Sequence, residues 1–476
     1  MRALKQARSQ NPTTPGILNL KGKKVTVMGI NPEGRGVQDA EFLASCGAKV
    51  TATDTESEKD LKESVARLKK YKNISFVLGG HRLRDFKNKD LVIRAAGAPL
   101  DSAYLKEAIK NGIDIKTDET LFLSLAPKIT LVGVTGTKGK STVTHLIYEI
   151  LKNSGRRVFL AGNVRGQAAL PLLKKVNAGD IVVMELDSWK LQGFGDAKIS
   201  PQVSIFTNFY QDHLNYYKGD MKKYFNDKAN IFKYQKKGDT LVVGKGAQNA
   251  IDKYYKGKIK GDVVEASKKD FLKSWRPLIF GEHNKENITL TVKACEALGI
   301  SKSDIKKGVE NFKGVSGRLE LVREINGVKY YNDTTATTPD ATIAALRALD
   351  SKNVILIAGG ADKKLDYREL AKVIPKYVKT MVLFKGEASD KLPKELQGDP
   401  TSQTLSHPRR SGLQKLGIIR DITSMKDALK IAQANARKGD IILLSPAAAS
   451  FGIFKNEFDR GEQFCYLVNR ITNTDF

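Results

Sequence analysis

The chain has 476 residues, 41% of them hydrophobic, which suits about three globular domains with real cores. No apolar run reaches the length of a membrane span, the opening MRALKQARSQNPTTPG has no apolar signal segment, and Cys46, Cys295 and Cys465 are too scattered for a disulfide framework or a zinc site. A monomeric cytoplasmic protein without membrane insertion is the simplest expectation. Lys+Arg 80 against Asp+Glu 52 gives a formal net charge of +28, yet the lysines run along the whole chain. There is no basic tail, arginine-rich block, RRM, KH or zinc-finger pattern, so polyanionic substrates account for the surplus better than a specific nucleic acid.

Residues 1–20 read as a mobile leader ending in NPTTPG. A strand over 24–28 leads into GINPEGRG (29–36), a helix to about residue 45, a second strand over 49–53, and Asp54 just past it. That is the outline of a Rossmann-like βαβ unit, although the middle glycine of G-x-G-x-x-G is Asn31. Residues 91–95 read as another buried strand, followed by Gly97.

An apolar run at 129–132 then precedes GVTGTKGKST (133–142) and a helical pattern over 143–151. Strand, glycine loop and helix in this order can offer backbone N–H groups, a helix N-terminus, the Lys140 ammonium and the Ser141 hydroxyl to a triphosphate and its Mg²⁺. The strict G-x-x-x-x-G-K-[ST] spacing is not met, because Val134 stands where the first glycine would be. Alternating strands at 157–160, 180–186 and 202–207 predict a parallel sheet covered by helices, with ligands at the carboxyl ends of its strands. Glu185 ends one of these strands, where a buried carboxylate calls for a cation. Asp212 and His213 follow the next, placed as metal ligands or orienting groups.

In IFGEHNKEN (279–287), Asn284 and Asn287 are three apart on the first turn of a helix and share a face, suited to an adenine or ribose edge. SGRLE (316–320) leads to a strand at 328–332 and to NDTTATTPDAT (332–342), a hydroxyl-rich loop that opens a helix. Strands at 354–358 and 441–444 end in GGADKK and SPAAASFGIFKNEFDRGEQF. GDPTSQTLSHPRRSG (398–412) reads as a flexible surface loop.

GVTGTKGKST, ELDSWKL, TNFYQDHL, GEHNKEN, GRLE, NDTTATTPDAT, GGADK and LSPAAASFGIFKNEFDRG together resemble the ordered motif series of the Mur ligases, over about residues 22–470. Within that family the set is most similar to members that add D-glutamate. The resemblance implies three α/β domains: a Rossmann-like UDP-binding domain (21–125), a central P-loop-type ATPase domain with a parallel sheet (126–315), and a Rossmann-like acceptor-binding domain (316–476). It implies ATP-dependent joining of D-glutamate to UDP-N-acetylmuramoyl-L-alanine in peptidoglycan precursor synthesis. The substrate carboxylate attacks the γ-phosphorus of ATP to give an acyl phosphate, and the amine of D-glutamate then displaces phosphate.

By the same resemblance, Gly136, Thr137, Lys138, Gly139, Lys140, Ser141 and Thr142 cradle ATP. Ser141 and Glu185 hold one Mg²⁺, while His213 holds a second with Lys228 as a carbamate. Asn284 and Asn287 take the adenine side, and Arg318 and Asp333 close over ATP by hinge motion of the last domain. Gly29, Asn31, Gly34, Asp54, Thr55, Gly97, Asn163 and His213 contact the nucleotide sugar, and Thr337, Lys363, Ser450 and Phe451 contact D-glutamate. Asp187 replaces a usual serine, Lys190 a usual glutamine and Thr335 a usual lysine, while Glu457 and Phe458 stand in swapped order. A Mur-type ligase with another acceptor, or a basic nucleic-acid-associated NTP-binding protein, is the alternative reading.

Overall fold

The computed structural model describes residues 20–472 apart from 31–34, 96, 100, 165–166, 273, 280, 363–364, 398–415 and 451. Asn31, Gly34, Lys363, Phe451, most of the expected leader and the proline-rich loop therefore lie outside the described residues. Three sheets organise the rest. The first holds β1 (Lys24–Met28), β2 (Lys49–Thr53), β3 (Ile74–Val77), β4 (Leu91–Ile93) and β5 (Asp114–Lys116), all parallel in the order β3-β2-β1-β4-β5.

The second holds β6 (Thr130–Thr135), β7 (Val158–Gly162), β8 (Ile181–Glu185), β9 (Val203–Phe206), β10 (Thr240–Gly244) and β11 (Asp262–Ala266). All are parallel, in the order β11-β10-β9-β6-β8-β7. The third holds β12 (Glu320–Ile325), β13 (Val328–Asn332), β14 (Val354–Gly359), β15 (Val378–Phe384), β16 (Gly417–Ile422) and β17 (Ile441–Leu444), in the order β12-β13-β17-β14-β15-β16. Only β12 runs antiparallel to its neighbour.

Central strands such as VILIAG at β14 and IVVME at β8 are buried along their whole length, as sheets covered by helices on both faces require. The chain forms two compact units. One comprises 1–275 with 285–309, the other 276–284 with 310–476. Within the first unit, the sheets expected in separate domains share one hydrophobic core, from Val25 and Leu43 through Leu170 to Phe206 and Leu241. The helices Gly36–Ser45 and Asp118–Leu125 both pack on the short turn Leu170–Lys174, which closes that seam.

Candidate active site

The phosphate loop leaves β6 and enters the helix Lys140–Asn153, three residues earlier than the apolar pattern suggested. Its glycines are there for geometry. Gly136 has φ +144° and Gly139 φ +84°, and a Cβ on either would collide with Thr207 Oγ1 or Asn287 Oδ1 respectively. The helix N-cap is Gly139, with no side chain capping it, so its first N–H groups face the loop. Lys140 Nζ folds back on the loop, donating to the carbonyls of Gly136 (3.1 Å) and Thr137 (3.0 Å). Lys138 is anchored through its backbone N–H to Asn208 Oδ1 at 2.8 Å. Thr137 is buried, and its hydroxyl accepts from the Tyr210 N–H at 2.9 Å.

Glu185 closes β8, which pairs directly with β6, and its side chain is buried. Its Oε1 accepts from Asn163 Nδ2 at 3.3 Å, while Oε2 has no hydrogen-bond partner among the described residues. A buried carboxylate oxygen left open beside a phosphate loop fits a Mg²⁺ ligand. Lys228 lies on the helix Met221–Ala229 with its ammonium buried; Nζ donates to Gly136 O at 2.8 Å and rests 4.9 Å from the centre of the Tyr224 ring. Burial first, and then the nearby Lys140 charge, push its pKa well below the usual lysine value. His213 sits at φ +53°, its ring 4.6 Å from that of Trp189. Burial holds its pKa below normal despite Asp212 beside it. Among the described residues no three His, Cys, Asp or Glu side chains gather as a metal cluster, so the donors available to Mg²⁺ are of mixed type.

A cavity of about 600 Å³ opens at the carboxyl ends of the first sheet, lined in part by Gly29, Arg35, Asp54, Thr55, His81 and Arg94. Asp54 organises it, accepting from the Ile30 N–H at 2.6 Å and the Glu56 N–H at 3.1 Å. Gly97 is exposed, between the lining residues Ala95 and Ala98. Asn163 bridges this cavity to the phosphate site, because its Oδ1 accepts from Arg35 Nη2 at 3.0 Å while its amide reaches Glu185. At the inner end, Lys190 is 2% exposed and ion-paired to the fully buried Glu119, with Asp118 3.8 Å away. The substitution noted at Lys190 thus brings its own counter-charges, on residues the sequence did not single out.

In the second unit, Asp333 Oδ1 accepts from the Leu319 N–H at 3.0 Å and Oδ2 from Ser445 Oγ at 2.8 Å. Burial pushes this carboxyl up to about 7, against the pull of those hydrogen bonds. The buried Ser450 Oγ has no partner among the described residues. Arg460, also missed in the sequence, is completely buried and clamps two loops: it donates to Thr334 Oγ1 and O at 3.1 and 2.8 Å and to Ala448 O at 3.4 Å. Thr337 follows in the first of those loops, and Asn284 and Asn287 lie on the helix Glu282–Ala297.

A glycine phosphate loop beside an open carboxylate, followed by a second α/β unit, suits an enzyme that uses a nucleoside triphosphate. Family models described as "Mur ligase middle domain" and "Mur ligase, glutamate ligase domain" match residues 134–300 and 317–448. The chain is 36% identical over 96% of its length to the whole of the UDP-N-acetylmuramoylalanine--D-glutamate ligase of Roseiflexus sp. (strain RS-1). It is also 36% identical to the enzyme of that name from Acetivibrio thermocellus, over 95% of this chain and 97% of that one. The chain belongs to the Mur ligase family. Among solved structures, the Thermotoga maritima UDP-N-acetylmuramate-alanine ligase MurC shares the fold at TM-score 0.56 and 17% identity, covering 94% of this chain and 99% of that chain. MurF from Acinetobacter baumannii does so at TM-score 0.56 and 14% identity, covering 96% and 98%.

Proposed function

We propose that this protein is a cytoplasmic, monomeric ATP-dependent ligase that joins D-glutamate to UDP-N-acetylmuramoyl-L-alanine through an acyl phosphate. The observation that carries the choice of acceptor is the 36% identity, over nearly the whole chain, to D-glutamate ligases. Domains spanning 21–125, 126–315 and 316–476 take the nucleotide sugar, ATP and the amino acid in turn, and the last closes over bound ATP.

Mg²⁺ bound with ATP supplies charge neutralisation at the transferring phosphoryl group. Residues 136–142 hold the phosphates, with Lys140 turning from its loop carbonyls to the β- and γ-oxygens. Ser141 and the open oxygen of Glu185 hold one ion. His213 and Lys228, the latter as a carbamate, would hold a second ion; the carbamate would exchange a costly buried cation for an anionic oxygen ligand. Asn284 and Asn287 face the adenine side, and Arg318 and Asp333 reach ATP from the last domain. Gly29, Asp54, Thr55, Gly97 and Asn163, with Asn31 and Gly34, position the nucleotide sugar so that its carboxylate meets the γ-phosphorus in line. Thr337 and the unpartnered Ser450 hydroxyl, with Lys363 and Phe451, hold D-glutamate.

The test is phosphate release from ATP with UDP-N-acetylmuramoyl-L-alanine present, adding D-glutamate, L-glutamate, meso-diaminopimelate or L-lysine one at a time, with an RNA control. Release that requires the nucleotide sugar and D-glutamate together is expected. Release driven by another amino acid overturns the acceptor, and release driven by RNA alone overturns the reaction class.

A further inference from the structure

The lysines look dispersed along the chain, but the fold gathers a set of them. In an all-parallel sheet every strand begins at the same edge, and in the second sheet each of the six strands is reached through at least one exposed basic side chain. They are Lys260 before β11, Lys237 before β10, Lys198 before β9, Lys128 before β6, Lys175 before β8 and Arg156 before β7. Lys236 and Lys258 add to the row. Acids at the same edge offset only part of it: Asp180 is buried and bound to Arg157, which leaves Asp196, Asp239 and Asp262 against these eight basic side chains. Among the described residues, none of the six has an ion-pair partner. At about 4.8 Å per strand the row is roughly 24 Å wide, about three Debye lengths at physiological salt.

The row lies at the edge opposite the phosphate loop and Glu185, both of which stand at the carboxyl ends of the strands. No step of the proposed reaction uses it. We propose that this basic edge is a docking surface for an anionic lipid bilayer, holding the protein peripherally with its active site turned away from the lipid. Five of the six charges are lysines on short connections, which suits point-charge attraction to a flat layer of anionic headgroups. Single-stranded nucleic acid would call for exposed aromatic platforms, and among the described residues the exposed large hydrophobic at this edge is the aliphatic Val263, at the start of β11. The proposal stands on sheet topology and charge alone, so it does not depend on the identity of the reaction.

The experiment is flotation of the full-length protein with vesicles of phosphatidylcholine alone, or of phosphatidylcholine with 30% phosphatidylglycerol, at low and high salt. Binding only to the anionic vesicles, weakening as salt rises, is expected. The variant carrying K128S, K198S, K237S and K260S should bind at least tenfold more weakly while releasing phosphate from ATP at the unaltered rate. A control variant carrying K59S, K62S, K106S and K110S, exposed positions on the first sheet's segment, should bind as the unaltered protein does. Equal weakening by both variants, no binding to anionic vesicles, or an RNA of equal charge that displaces the protein in an edge-dependent manner would overturn the proposal.

Discussion

Replacing Lys190 by methionine removes a buried ammonium and leaves its carboxylates behind. Glu119 is 0% exposed, Asp118 6% and Lys190 2%, so water cannot take over the lost pairing. Among the described residues, Glu119 Oε2 and Asp39 Oδ1 already lack hydrogen-bond partners, which leaves little slack for rearrangement. Breaking a buried pair by deleting one partner costs about 3–5 kcal/mol. At about 2 °C per kcal/mol for a unit of this size, the melting temperature of the first unit should drop by about 6–10 °C. Both tryptophans, Trp189 and Trp275, belong to that unit, so their fluorescence in a urea titration reports on it selectively. Adding Glu119→Gln removes the stranded charge, so the double variant should recover about 2 kcal/mol relative to the sum of the singles. Activity should fall as well, because Lys190 sits in the first turn of the helix after Glu185, next to Trp189, whose carbonyl accepts from Arg94 at 3.4 Å and whose ring lies tilted 4.6 Å from that of His213. A Lys190→Met cost under about 1 kcal/mol, or strict additivity with Glu119→Gln, would refute the reasoning.

Gly136→Ala and Gly139→Ala each force a Cβ into Thr207 or Asn287 at positive φ, and should lower the rate of ATP-dependent phosphate release at least about 100-fold; a variant within threefold of the unaltered rate would contradict the assigned loop geometry. Glu185→Gln should raise the Mg²⁺ concentration for half-maximal activity by about tenfold or more, and an unchanged Mg²⁺ saturation curve would remove Glu185 from the metal site. Asp333 has a folded-state pKa raised from 3.8 to about 7, so its contribution to stability is fully present below about pH 4 and is lost as pH rises to about 7. Asp333→Asn keeps an acceptor for the Leu319 N–H and can donate to Ser445, so it should flatten that loss. Urea titrations followed by circular dichroism at pH 5 and pH 8 measure the difference, and an equal pH slope in both proteins would count against the raised pKa.

Burial alone does not decide which strands are legible: the edge strand β7 is, whereas the interior strands β10 (TLVVG) and β15 (VKTMVLF), buried along nearly all their length, are not. The runs at 24–28, 49–53, 328–332 and 441–444 match the strands residue for residue, because KVTVM, KVTAT, VKYYN and IILL are rich in the β-branched, aromatic and aliphatic residues that suit a largely buried strand. Edge strands β3, β11 and β16 were not named in advance, since ISFV, DVVEA and GIIRDI keep one side toward water and mix polar residues into short runs. Motifs whose work is done by the backbone and by neighbours in sequence were legible for the same local reason: the 136–142 loop and Glu185 lie on adjacent strands β6 and β8. Groups that act through distant partners were not. Arg460 lies 126 residues from the Thr334 it clamps, and Glu119 lies 71 residues from the Lys190 it neutralises. The gathering of charge at one sheet edge is invisible in the sequence for a related reason. Along the chain Lys128, Lys198, Lys237 and Lys260 stand 39 residues or more apart, except for the last pair, and dispersion was the natural reading. Parallel topology turns that spacing into proximity, because it sends every strand of the sheet off from one edge, so a charge repeated once per βα unit becomes a row.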